Sequence, residues 1–223
     1  QVQLDTLESL GLKHLELRGV WGKNVLDLTD DELDKVKQAL RQRSIGVSAI
    51  GSPIGKAPLD VDFAEYKERV QRAIDVANEM NAPYIRMFSF YIDDLDSDRD
   101  RVMEYMQAMV DMAAAGGVIM LHENEKAIYG EVPERCLDLY ETVTGNSFGA
   151  IFDPANFVQA GVEPFDRAYP LLKPYIKYYH IKDAIMDSGK VVPAGQGDGQ
   201  IKELMAAAKE AGYEGFLSLE PHL

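Results

Sequence analysis

The feature that most constrains this chain is an alternation of two kinds of segment. Stretches with apolar residues at helical spacing are each followed by a short apolar run of strand character, seven times in succession. The helical stretches cover Val2–Leu10, Thr29 to about Arg43, about Asp62–Met80, Asp98 or Ser97 to about Ala115, Pro133 to about Thr142, a broken region to Leu172, and about Ile201–Ala211. The strand-like runs are His14–Arg18, Gly46–Gly51, Tyr84–Phe90, Val118–Leu121, Gly149–Phe152, Tyr175–Asp183 and Gly215–Leu219. Repeated alternation of this kind predicts a parallel sheet covered by helices. Seven strands are one short of a (β/α)8 TIM barrel, and the chain opens in a helix. The simplest expectation is an α/β barrel in one domain over residues 1–223, its first strand before Gln1 and its last helix after Leu223. An open doubly wound sheet is the alternative. It would carry a Gly-rich turn after its first strand, and none is visible.

Punctuation agrees with this division. Thr29 followed by Asp30, Asp31 and Glu32 has the chemistry of a helix N-terminus, where side-chain acceptors and negative charge are favoured. Gly11 and Gly116-Gly117 are stops. Met103, Met106, Met109 and Met112 recur at helical spacing and read as core packing. Cys136, the single cysteine, excludes an internal disulfide and reads as a small buried hydrophobe.

The formal net charge is −14. Binding to a phosphate backbone needs clustered Lys and Arg, so nucleic-acid and anionic-membrane partners are disfavoured. Nothing resembles a signal peptide or a run of spanning length, and a cytoplasmic location is expected.

In a (β/α)8 barrel, chemistry sits at the C-terminal ends of the strands. Here the last four apolar runs end in Glu123, Asp153, His180 and Glu220. Taken singly, each has a plain reading. Asp153 before Pro154 can cap a helix, and His180 can be a satisfied core histidine. Four in succession at one barrel face suit one divalent ion, Mn, Mg, Co or Zn.

The surrounding motifs are Leu-His-Glu-Asn at Glu123, Phe-Asp-Pro-Ala-Asn at Asp153, His-Ile-Lys-Asp at His180 and Leu-Ser-Leu-Glu-Pro-His at Glu220. They resemble the Glu/Asp/His/Glu metal tetrad of the xylose-isomerase-like TIM barrels, which include sugar phosphate isomerases and epimerases, ketose 3-epimerases, inosose dehydratases and endonuclease IV. The Gly-Gln-Gly-Asp loop at 195–198 is similar to the Gly-x-Gly loop these proteins carry after the seventh strand. The resemblance implies proton transfer next to a carbonyl of a small sugar, polyol or sugar phosphate, through a metal-stabilised enediolate. By position, Glu123 and Glu220 are the catalytic acid/base pair. A homo-oligomer is compatible with it.

Substrate contacts are expected from Lys182, Arg86, Ser52, Lys56, Asn156 and Glu16, with Arg18 and Ser89 as similar candidates. Lys182 shares a side with His180 in an extended segment; its other reading is a loop lysine paired with Asp183. His222 shares its side with Glu220. His122 should point away from the site, and His14, at the start of a strand, lies at the opposite face. Two positions depart from the family pattern: Asn156 stands where many members have a histidine, and Met186 where ketohexose 3-epimerases carry an arginine. Endonuclease IV needs several more histidines than the four present. An inosose dehydratase-like lyase and a non-catalytic sugar-binding barrel are the alternatives to an isomerase or epimerase.

Overall fold

The structure, a computed structural model, describes residues 2–220. Seven parallel strands follow one another around the sheet in chain order. They are β1 (His14–Leu17), β2 (Gly46–Ile50), β3 (Tyr84–Met87), β4 (Ile119–Glu123), β5 (Phe148–Phe152), β6 (Ile176–Ile181) and β7 (Phe216–Leu219). The helices between them are α1 (Val2–Ser9), α2 (Asp30–Gln42), α3 (Phe63–Met80), α4 (Leu95–Ala115), α5 (Pro133–Thr142), α6 (Pro154–Gln159), α7 (Tyr169–Leu172) and α8 (Ile201–Glu210). This is the expected α/β TIM barrel, nearly closed. Among the described residues β1 and β7 do not pair with each other. A cavity of about 430 Å3 lies between them, reaching Glu16 and Glu220 inside, and Leu217 and Leu219 stay exposed beside it. No helix among the described residues is long and apolar enough to cross a membrane.

The period of two along each strand divides its side chains between two cores. Ala49, Leu121, Ile151 and Tyr178 meet in the barrel lumen, closed over by Tyr84, Ile119 and Phe216. The alternate residues, such as Ile50, Ile85, Met120, Ala150 and Tyr179, face the helices and join the larger outer core. The methionines Met103, Met106 and Met109 belong to that outer core, as expected. On β4 the alternation sends Ile119, Leu121 and then Glu123 inward. On β6 it sends Tyr178 and then His180 inward. The lumen is therefore apolar at its floor and polar at the C-terminal rim.

Several local expectations change. Helix α4 begins at Leu95, capped by Asp94 rather than by Ser97 or Asp98. The Asp94 carboxylate accepts from the amides of Asp96 and Ser97, while Asp98 reaches back to the amides of Asp93 and Asp94 at 3.0 Å. The run from Tyr175 to Asp183 is not one strand: β6 stops at Ile181, and Asp183–Ala184 pairs antiparallel with Val191–Val192. The strand expected to reach Phe90 stops at Met87, with Phe90 at φ 62. A ribbon of Gly19–Val20 with Lys23–Asn24, turning at Trp21-Gly22, escapes the pattern because each arm has only two residues.

Candidate metal centre

Four strand ends converge at the rim. Glu123 is the last residue of β4, Asp153 follows β5 as the N-cap of α6, His180 lies on β6, and Glu220 follows β7. One ligand-capable atom from each lies within 4.8 Å of all the others. The Nδ1 atom of His180 is 3.3 Å from Glu123 Oε1, 3.5 Å from Asp153 Oδ2 and 3.7 Å from Glu220 Oε2. The imidazole is buried, as are Glu123 and Asp153, whereas Glu220 is partly open to the cavity.

Backbone geometry fixes these side chains. Asp153 serves two purposes with its two oxygens. Oδ1 accepts the Asn156 amide at 2.9 Å as a helix cap, which leaves Oδ2 aimed at the cluster. Asn124 brackets Asp153 from the neighbouring strand end, donating to its carbonyl and accepting from its amide, each at 2.9 Å. Asn156 donates to Glu123 Oε1 at 3.0 Å and to the Asn124 carbonyl at 2.9 Å. His122 points outward, as alternation requires, with Nε2 3.0 Å from Ser89 Oγ and Nδ1 3.2 Å from the Tyr140 hydroxyl. Burial pulls its pKa down to about 3, so it is neutral.

Two permanent cations penetrate the cluster. Arg86 Nη1 lies 3.2 Å from Glu123, 3.5 Å from Glu16 and 3.6 Å from Glu220. Lys182 Nζ lies 2.8 Å from Asp153 Oδ2 and 3.0 Å from Glu220 Oε2. Burial acts against every one of these charges, yet the opposite charges prevail. Glu123 and Glu220 are held below the usual carboxylate range, and His180 and Lys182 are raised.

These residues fit a divalent cation on two grounds. Glu123 Oε2 and Asp153 Oδ2 are buried and accept no well-aligned hydrogen bond, despite the nearby cations. Such oxygens are costly unless something else coordinates them. Among the described residues the carboxylates of Glu16, Glu123, Asp153 and Glu220 also outnumber the buried cations Arg86 and Lys182, leaving a net negative charge that a cation offsets. Carboxylates with one imidazole suit Mn, Mg, Co or Zn.

A family profile described as xylose isomerase-like TIM barrel matches residues 4–222. The chain belongs to this family. Solved structures agree on the fold. The probable 3-DHS dehydratase AsbF of Bacillus anthracis superposes with a TM-score of 0.82 at 18% identity, over 99% of this chain and 86% of that one. A xylose isomerase-like TIM barrel protein of Mycobacterium smegmatis, in complex with magnesium, gives 0.80 at 20% identity, over 100% and 81%. D-psicose 3-epimerase of Clostridium cellulolyticum H10, with D-tagatose, gives 0.75 at 17% identity, over 99% and 78%. No curated protein matches the chain. The proteins of this fold family are mostly enzymes, among them isomerases and epimerases.

The remaining residues singled out in the sequence of this xylose isomerase-like barrel divide into those inside and those outside the cluster. Lys182, Arg86, Glu16 and Asn156 are inside it. Lys182 pairs with Asp153 and Glu220 instead of Asp183. Ser52 stands behind Arg86: its hydroxyl donates to the Arg86 carbonyl and its carbonyl accepts from Arg86 Nε at 3.4 Å. Lys56 sits at the rim, 2.8 Å from Glu125 and 4.3 Å above the Phe88 ring. Arg18, largely exposed, reaches Glu220 at 3.9 Å. Ser89 is occupied by His122 and by the Gly130 amide at 2.8 Å. His14 packs edge-on against Phe216, 5.1 Å away. His222 lies outside the described residues.

Two residues named in the sequence have structural roles that it does not display. Asn124, directly after Glu123, brackets Asp153 from the neighbouring strand end. Asp183 is buried and gathers the Gly-rich loop: Oδ2 accepts the amides of Gly195 (2.8 Å) and Gly197 (2.9 Å), and Oδ1 those of Gly199 (2.8 Å) and Ala184 (2.9 Å). A Cβ at Gly197 would stand 2.5 Å from Asp183 Oδ1 and 2.4 Å from the Ala184 carbonyl oxygen. The alternating glycines at 195, 197 and 199 were the available signal.

Proposed function

We propose that the chain is a divalent-metal-dependent isomerase or epimerase of a small sugar, polyol or sugar phosphate. The observation that carries this reading is the convergence of Glu123, Asp153, His180 and Glu220 at the C-terminal rim, the first three of them buried, with more carboxylates than buried cations around them. A bound divalent cation would polarise the carbonyl and neighbouring hydroxyl oxygens of the substrate. Glu123 and Glu220 are the proton carriers. Both are held ionised by the cations around them, and an ionised carboxylate accepts a proton from the carbon beside the carbonyl and returns one. Arg86 and Lys182 place fixed positive charge where negative charge develops on the enediolate oxygens. Asn156 holds Glu123 in orientation. The magnesium of the Mycobacterium smegmatis protein and the D-tagatose of the Clostridium cellulolyticum epimerase support the same reading.

The test is proton exchange in D2O over a panel of sugars, polyol-derived ketones and sugar phosphates, with metal added. Solvent deuterium is expected at the carbon beside the carbonyl. Glu123→Gln and Glu220→Gln are each expected to abolish exchange while circular dichroism stays unchanged. Full exchange in either variant overturns its assignment. Likeness to the probable 3-DHS dehydratase favours a second reading, in which the same proton removal is followed by loss of a β-hydroxyl as water. Its signature is an unsaturated carbonyl product in place of simple exchange.

A further inference from the structure

His180 faces two ways. Nδ1 looks into the carboxylate cluster, while Nε2 points away from it to Glu16 Oε2, 2.9 Å distant. Glu16 is on β1 and His180 on β6, so this contact crosses the lumen next to the unpaired edges of the sheet. Glu16 is outside the group of mutually close ligand atoms. It stands behind the imidazole, at the ring nitrogen opposite the one that faces the carboxylate cluster. Glu16 is itself secured: its Oε1 lies 3.5 Å from Arg86 Nη1, and Gly51 leaves the space it occupies, since a Cβ there would stand 3.0 Å from that oxygen.

We propose that Glu16 is a positioning residue: its carboxylate holds the Nε2–H of His180, fixing the tautomer and ring orientation that present Nδ1 to the metal ion. The proposal rests on the metal centre of the preceding section. An imidazole ligand must be neutral, with its proton on the other nitrogen, and a carboxylate on that proton both selects the tautomer and raises the basicity of the ligating nitrogen. Glu16 therefore acts through His180 and does not contact the substrate.

The experiment is calorimetric titration of the parent, Glu16→Gln and Glu16→Ala with Mn2+, joined to 15N-histidine NMR of the Zn2+-loaded proteins. The parent is expected to bind metal and to show His180 with a metal-shifted Nδ1 and a slowly exchanging Nε2 proton. Glu16→Ala is expected to lower metal affinity roughly 10–100-fold and to lose that slow proton. Glu16→Gln keeps an acceptor oxygen, so it should retain the proton and fall between the two in affinity. Parent-like affinity and an unchanged His180 spectrum in Glu16→Ala overturn the proposal and leave the metal centre standing. A parent that takes up no metal overturns both. A Glu16→Ala variant with unaltered metal affinity but raised KM shows a substrate contact instead, and also overturns it.

Discussion

Asp183 offers the sharpest numerical test of how the rim is built. Its carboxylate accepts four backbone amides, two on each oxygen. Asparagine has nearly the same shape but only one acceptor oxygen; its other terminus is an NH2 that cannot receive an N–H. Whichever way the amide turns, two donors lose their acceptor. The amides of Gly199 and Ala184 are buried, whereas those of Gly195 and Gly197 are partly accessible. The amide oxygen of Asp183→Asn should therefore turn toward Gly199 and Ala184. Two unsatisfied donors at roughly 1–3 kcal/mol each would cost about 2–6 kcal/mol. Water access to Gly195 and Gly197 places the expected loss in the lower half, about 2–3 kcal/mol. Urea unfolding followed by far-ultraviolet circular dichroism measures this as a lower midpoint at unchanged slope. Amide hydrogen exchange should show lost protection at Gly195 and Gly197, with Gly199 and Ala184 still protected. A variant within about 0.5 kcal/mol of the parent, a surface-substitution effect, with the Gly195 and Gly197 amides unaltered, would refute the reasoning.

Metal binding should raise thermal stability. At one hundred times Kd the linkage is about 2.7 kcal/mol, or roughly 5–10 °C for a chain of this length. The shift should be reversed by a chelator and much reduced in His180→Ala; identical melting with Mn2+ and with chelator would count against the site. His122 should give an acid-linked loss of stability. Its folded pKa, about 3, lies below the ordinary value of 6.5, so below 6.5 the unfolded chain binds a proton that the folded chain does not. The stability it contributes is present above 6.5 and falls as pH drops toward 3, by about 1.4 kcal/mol per pH unit. Comparing unfolding free energies of the parent and His122→Gln across that window isolates this slope, and parallel curves would show that His122 does not set it.

The barrel was legible because it is written in two periodicities. Strand runs bounded by helical stretches repeat often enough that no single error of boundary alters the topology. The four side chains that converge at the rim were legible for a related reason. Inward alternation makes Glu123 the inward residue two after Leu121, and His180 the one two after Tyr178. The start of α4 was not legible, because Asp94, Ser97 and Asp98 can all cap a helix, and only the fold shows Asp98 reaching back to the amides of Asp93 and Asp94. The partner of Lys182 was hidden too. In sequence Asp183 is adjacent, but successive residues of an extended segment face opposite sides. Lys182 accordingly meets Asp153 and Glu220, while Asp183 is claimed by glycines 12 to 16 residues later. Ser52 fell between these cases. It is close to Arg86 in space, but its polar atoms are directed at backbone.

The charge pattern is what supports the proposed metal site over a salt-bridge network that merely holds strand ends together. A buried network is tolerable when opposite charges balance and every polar atom is satisfied, and costly when one charge is left over. Among the described residues Arg86 and Lys182 are the only buried cations facing the four carboxylates, with the largely exposed Arg18 3.9 Å from Glu220, and two buried carboxylate oxygens have no well-aligned donor. In the metal-free protein the raised pKa of His180 lets the imidazole take a proton and cover part of the deficit. That proton would occupy Nδ1, the same nitrogen that faces Glu123, Asp153 and Glu220. A divalent cation held there would replace that proton with two positive charges, at side chains that Asn124, Asn156 and the α6 cap already orient. All four side chains come from successive strand ends of one sheet, so the same backbone that builds the barrel also gathers the cluster.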